Sequence, residues 1–284
     1  MDINKLIEAE ILLRNNAPVA DFDDLSPTNF HAILYDPYAE NSPVNFQKII
    51  DNDTLDKISL FRVAENFIKI IDREKFIKLT PLGALPKKVM VELYDKKFIY
   101  DHMIEVGITK LWREEDCIAI MSVKIVSNLA GITKKANGKL TLTKKGISFL
   151  HPDNRQAFFE LFIKTFADKF NWGCNDGYPE NPIGQIGWTF TIYLLAKYGA
   201  DFQPDRFYAE KYLKALSKLI EALETDGLRM GQDQYRGCYR LRGFERFLEW
   251  FGLIEVQNEG RQYIARTINI KSAEILTKVF HIDL

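Results

Sequence analysis

The chain has 284 residues, 46% hydrophobic and 27% charged, with a formal net charge of −1. That length fits one large domain or two to three small ones, and the apolar share supports an ordinary core without disulfide or metal staples. So neutral a balance excludes a global pull toward nucleic acid or membrane; any such attraction has to come from local patches.

Cys117, Cys174 and Cys238 are odd in number and far apart, and no CxxC occurs. Three free thiols in a reducing, cytoplasmic setting are expected. The opening MDINKLIEAEILLRNN lacks the apolar core of a signal peptide, and no run of about 18 apolar residues follows, so no membrane partner is expected.

In chain order, residues 1–16 read as a short amphipathic helix. In DLSPTNF, Ser26 is placed to cap a helix whose first position Pro27 fills. Leu55, Ile58, Phe61, Phe67 and Ile71 recur at helical spacing across LDKISLFRVAENFIKII. FIKLT then reads as a strand ending at Thr80. The segment KLTPLGAL shares Leu-Thr-x-x-Gly with KLTLTKKGISFL at 139–150. Both read as strand-to-helix junctions, with Thr80 and Thr143 as caps and Gly83 and Gly146 allowing close backbone approach.

Residues 117–130, CIAIMSVKIVSNLA, predict a helix whose buried face holds Ile118, Ser122, Ile125, Val126 and Leu129. Gly131 is placed to end it in the left-handed region. Asn137-Gly138 is a strong hairpin signal between two short strands. Residues 155–170 and 205–224 predict amphipathic helices, the latter with Ala209, Leu213, Leu216, Ile220 and Leu223 on one face. They flank NWGCNDGYPENPIGQIGW. There Trp172, Asp176 and Tyr178 can line a ligand pocket, or the aromatics can simply pin a long connection to the core. A further module is expected from GFERFLEWFGLIEVQNEGRQYIARTI. Its helix carries Phe244, Phe247, Leu248 and Phe251 on one face and ends at Gly252. Strand LIEV, turn QNEG and return strand QYIARTI follow.

Helix, Gly, strand, Asn-Gly hairpin, strand and LTxxG, over about residues 114–150, resemble the wing region of the MarR and PadR regulator families. That resemblance implies a winged helix. The combination of DLSPTNFHAIL, LTPLGALPKKVMVELY and NWGCNDGYP resembles a bacterial family with no assigned activity and implies no site residues. The fold class expected is mainly α with small β-wings: two to three winged-helix-like modules around a helical middle region. The expected parts are 1–152 with both LTxxG modules (wing about 131–143), a helical 153–226, and a winged-helix-like 227–284.

Chemistry-bearing motifs are sparse. His31, His102, His151 and His281 have no metal-ligand spacing, Cys174 has no activating base nearby in sequence, and no phosphate loop or nucleophile elbow occurs. No catalytic residue, metal or cofactor is expected. The charge pattern says more. From Cys117 to Leu150 there is no Asp or Glu, while Lys124, Lys134, Lys135, Lys139, Lys144 and Lys145 fall inside. Such a patch attracts phosphate, although exposed hairpins also carry lysine merely as solvated filler. If the 117–130 helix were a recognition helix, Lys124, Ser127 and Asn128 would face base edges, with Lys134, Lys135 and Lys139 on backbone phosphate. Arg229, Arg236, Arg240, Arg242 and Arg246 form a second basic stretch, suited to phosphate forks or to pairing with EALETD at 221–226. The leading expectation is duplex-DNA binding of a regulatory kind, with Arg236 and Arg240 joining the lysines. The alternative is a protein-interaction scaffold without catalytic activity, which would show an exposed apolar patch.

Overall fold

The structure, a computed structural model, describes residues 3–225, 227, 230–259 and 267–284. The protein is mainly α-helical with small antiparallel sheets of two or three strands. It divides into two compact units. One comprises 49–177 with 250–252; the other comprises 1–48, 178–249 and 253–284. The stretches 1–152, 153–226 and 227–284 are thus each distributed over both units.

In the 49–177 unit, the expected apolar set Leu55, Ile58, Phe61, Phe67 and Ile71 is fully buried. It is carried by two helices, Asn52–Asp56 and Ser59–Glu74, because Ile58 is extended between them. Phe61 packs edge-on against Phe158 and Phe159 of the Arg155–Asp168 helix, at 5.0 and 5.4 Å between ring centres. The strand Ile77–Lys78 pairs antiparallel with Lys139–Leu142, which pairs with Thr133–Ala136. Asn137 and Gly138 turn this hairpin with φ of 50° and 70°, as Asn-Gly predicts. The two LTxxG segments therefore belong to one sheet rather than to two modules.

They are not the same junction either. Thr143 caps the Lys144–Ser148 helix, its Oγ1 accepting from the Gly146 N–H at 3.1 Å. Thr80 caps no helix. It closes a turn, with the Ala84 N–H donating to its Oγ1 at 3.0 Å and the Gly83 N–H to its carbonyl at 2.8 Å. The helix starts only at Lys87, after Pro86. Pro86 explains the difference: it offers no N–H to a helix begun at Pro81, and it holds Leu85 extended.

The Ile118–Leu129 helix ends at Gly131 with φ +67°, as expected, but its buried arc is rotated from the expected one. Ala119, Ile120, Ser122, Val123, Val126 and Ser127 are buried, Ile118 and Ile125 are half-buried, and Leu129 is exposed. The helix is apolar on more than one side and packs against both Ser59–Glu74 and Arg155–Asp168. Spacing alone then does not choose the arc.

The other unit opens with the Ile3–Asn16 helix, which buries no side chain. Ser26 caps Pro27–Tyr35 as predicted, accepting from the Asn29 N–H at 3.1 Å. Val44–Phe46 pairs with Phe280–Ile282. A second three-stranded sheet orders Gln203–Pro204, Thr267–Ser272 and Ile254–Glu259. The first hairpin strand runs through Glu259, so Gln257 is in the ladder and not in a turn. Residues 260–266, which hold the end of the expected turn and most of the return strand, lie outside the described residues. The expected single helix over 205–224 is two, Asp205–Ala215 and Ser217–Thr225, parted at Leu216.

The helix before this hairpin becomes a π-helix over Arg240–Leu248, with the Glu249 N–H donating to the Phe244 carbonyl five residues back. Its expected apolar face is divided. Phe244 packs on Tyr239 and Phe247 on Trp188, whereas Phe251 lies 5.3 Å from Phe166 in the 49–177 unit.

Candidate nucleic-acid interface

Register settles which wing side chains share a face. Lys78 lies directly opposite Lys139, and Lys134 opposite Thr141, two residues along from Lys139. Side chains alternate along strands, so Lys78, Lys139 and Lys134 project from one face of the sheet. All three are exposed, and none of them forms an ion pair among the described residues. Lys139 also sits over the Phe76 ring, 4.1 Å from its centre. Lys78 was missed by sequence reasoning. Its strand was visible in FIKLT, but the partner strand lies sixty residues away.

The remaining wing and helix residues divide into accessible and inaccessible. Lys135, Lys144 and Lys145 are exposed, Lys145 donating to the Ala130 carbonyl at 3.4 Å. Lys135 passes close over Gly83: a Cβ there would stand 2.5 Å from its Nζ. Asn128 is exposed in the last turn of the helix. Ser127 is fully buried, so its hydroxyl reaches no base edge. Lys124 is tied down, with Nζ 2.5 Å from the Glu114 carboxylate and 3.2 Å from the Gly83 carbonyl. The neutralising acid lies just upstream of the acid-free segment. Of the three residues expected to face bases, only Asn128 is presented to solvent.

Among the described residues, Arg236 and Arg240 of the second basic stretch are paired with carboxylates outside 221–225. Arg236 pairs with Glu210 at 3.2 Å and Asp233 at 3.3 Å, and Arg240 with Glu245 at 3.1 Å and Asp205 at 3.8 Å. Burial pushes the Asp205 carboxyl up, with Arg240 opposing. Arg242 is buried and donates to the Asn181 carbonyl at 2.7 Å, anchoring the loop before Trp188–Tyr198. Arg229 lies outside the described residues.

In the 171–188 loop, Trp172 is buried and its Nε1–H donates to the Phe166 carbonyl at 2.8 Å, which makes it an anchor. Cys117, Cys174 and Cys238 are free thiols, the first and last buried. Burial pushes the Cys117 thiol up to about 11, an inert thiol rather than a nucleophile. Among the described residues no cluster of His, Cys, Asp and Glu is placed to hold a metal, and no helix is long and apolar enough to cross a membrane.

No family model, curated protein or solved structure matches the chain. The geometry defines a mainly helical protein whose two three-stranded sheets share one strand order. One of those sheets presents lysines that have no carboxylate partner among the described residues.

Proposed function

We propose that the two sheet-bearing regions are winged-helix modules, and that the wing of the 49–177 unit binds the phosphate backbone of duplex nucleic acid. The element order supports the first part. Helix Ser59–Glu74, strand Ile77–Lys78, helices Lys87–Tyr94 and Ile118–Leu129, and the 133–142 hairpin follow the winged-helix sequence of elements. Helix Trp188–Tyr198, strand Gln203–Pro204, the helices to Leu248 and the last hairpin repeat it.

The observation that carries the second part is the Lys78–Lys139 register pair. Like charges directly opposite on a sheet destabilise it, and no carboxylate of the 117–150 segment relieves them. A phosphate group would. With Lys124 held by Glu114 and Ser127 buried, the contact is one to backbone phosphate and tolerant of sequence.

The test is a binding titration on mixed-sequence duplexes at two salt concentrations. Replacing Lys134, Lys135 and Lys139 together by Ala should weaken binding on every sequence and lower the salt slope by about one unit per lysine. Absence of binding at low salt, or indifference to the triple change, rejects the reading. The protein-scaffold alternative then takes its place. It is favoured by Tyr100, Ile108 and Trp112, which are 72, 66 and 62% exposed within one short stretch of the same unit.

A further inference from the structure

Of the four tryptophans only Trp112, in the 49–177 unit, is exposed; Trp172 and Trp188 are buried and Trp250 is half-buried. Its backbone is held in place. Leu111 beside it is buried, and the Asp116 carboxylate accepts from the Trp112 and Arg113 N–H groups at 2.9 and 2.7 Å. The turn therefore holds out to solvent a large aromatic surface that gains from being covered.

Two ammonium groups gather on that ring. Lys110 Nζ lies 5.2 Å and Lys87 Nζ 6.0 Å from its centre. Both lysines are exposed, and neither has a carboxylate partner among the described residues. The acids of the same turn are all engaged: Glu114 with Lys124, Glu115 with Arg113 at 2.6 Å, and Asp116 with the backbone. Contacts also lead from here to the wing. Lys135 passes over Gly83, Lys124 joins the Gly83 carbonyl to Glu114, and Glu114 accepts from the Leu85 N–H, two residues before Lys87.

We infer that Trp112, Lys87 and Lys110 form a site for single-stranded nucleic acid, in which an unpaired base stacks on the indole and the two lysines take the flanking phosphates. The inference builds on the nucleic-acid reading of this unit and extends it from duplex backbone to an unpaired base. In the free protein the ammonium groups rest on the ring; a phosphate oxygen, accepting a charge-assisted hydrogen bond, draws each away and leaves the ring to the base. Every base has a π-face, so the site tolerates sequence. A protein partner fits this ring less well, because lysine is depleted where proteins meet.

The experiment uses the full chain and three labelled probes: a blunt duplex, an abasic strand, and an oligo-dT of equal length, about 12 nucleotides, within the ~4–16 that a single-strand site covers. Oligo-dT should quench the tryptophan fluorescence. By anisotropy it should bind about tenfold more tightly than the abasic strand, the scale of one stacked base. Trp112→Leu should erase that preference, and Trp112→Phe should retain it. Lys87→Ala with Lys110→Ala should weaken both strands and lower the salt slope. Duplex binding should respond to the change at Lys134, Lys135 and Lys139 and ignore Trp112→Leu. Loss of the duplex result alone therefore rejects the wing reading, and loss of the oligo-dT preference alone rejects this one. Equal binding of the abasic strand, an oligo-dT affinity that ignores Trp112→Leu, or phosphatidylserine vesicles changing the fluorescence where oligo-dT does not, would overturn the assignment.

Discussion

The Thr143 hydroxyl caps its helix by accepting from the Gly146 N–H, and donates to the Gly131 carbonyl at 2.7 Å. Thr143→Ala should therefore cost about 1 kcal/mol, read as a lower denaturant midpoint at unchanged slope. An unchanged midpoint would show that the cap contributes nothing. In the same unit, Arg155 reaches Glu65 and Asp56, both at 2.7 Å. Its hydrogen bond is the main cause that holds the Asp56 carboxyl below its ordinary range. A depressed carboxyl adds stability above its unfolded pKa and loses it as pH falls through the folded value. Acid unfolding should accordingly begin below about pH 4, where the unfolded carboxyl takes its proton. Arg155→Met should flatten that acid limb. At neutral pH it should also cost about 2 kcal/mol, because the buried Glu65 loses its closest hydrogen bonds and keeps only Arg62, at 3.4 Å. An acid limb of wild-type steepness in the variant would remove Asp56 from the account.

The first three-stranded sheet carries a tension between stability and binding. Lys78 and Lys139 face each other across the outer strand pair. Lys78→Glu should convert the repulsion into attraction and stabilise the unit by about 0.5 kcal/mol. The same change should weaken duplex binding at low salt. A variant both less stable and equally good at binding would contradict the register argument and the functional one together. At this scale the sequence was legible where a signal is local. The Asn137-Gly138 turn, the Ser26 cap, the Gly131 terminus and the apolar set from Leu55 to Ile71 are all where spacing puts them. It was misleading at Thr80, where three matching letters hide the effect of Pro86, and across 205–224, where apolar spacing continues through the break at Leu216.

Both units are assembled from segments distant in the chain, and 250–252 belongs with 49–177. Phe251 is the side chain that returns: fully buried, 6.2 Å from Phe162 and 5.3 Å from Phe166. Phe251→Ala should cost about 3–5 kcal/mol, the usual range for a buried phenylalanine, and lower the melting temperature. A loss below about 1 kcal/mol would mean the ring cluster closes without it.

By itself the sequence determined the class, mainly α with small β elements, the positions of most helices, the first hairpin and three cysteines that are free. Each of these rests on interactions within a few residues or on composition, so the chain announces them locally. Only the tertiary structure decided that both LTxxG strands lie in one sheet, that Gln203–Pro204 edges the other, and that Lys78 faces Lys139. It also decided which arc of the Ile118–Leu129 helix is buried, and with it that Ser127 lies inside and Lys124 is held by Glu114. Strand pairing and the choice of buried face depend on partners tens of residues away, and a helix apolar on several sides accepts more than one such choice until its neighbours are in place.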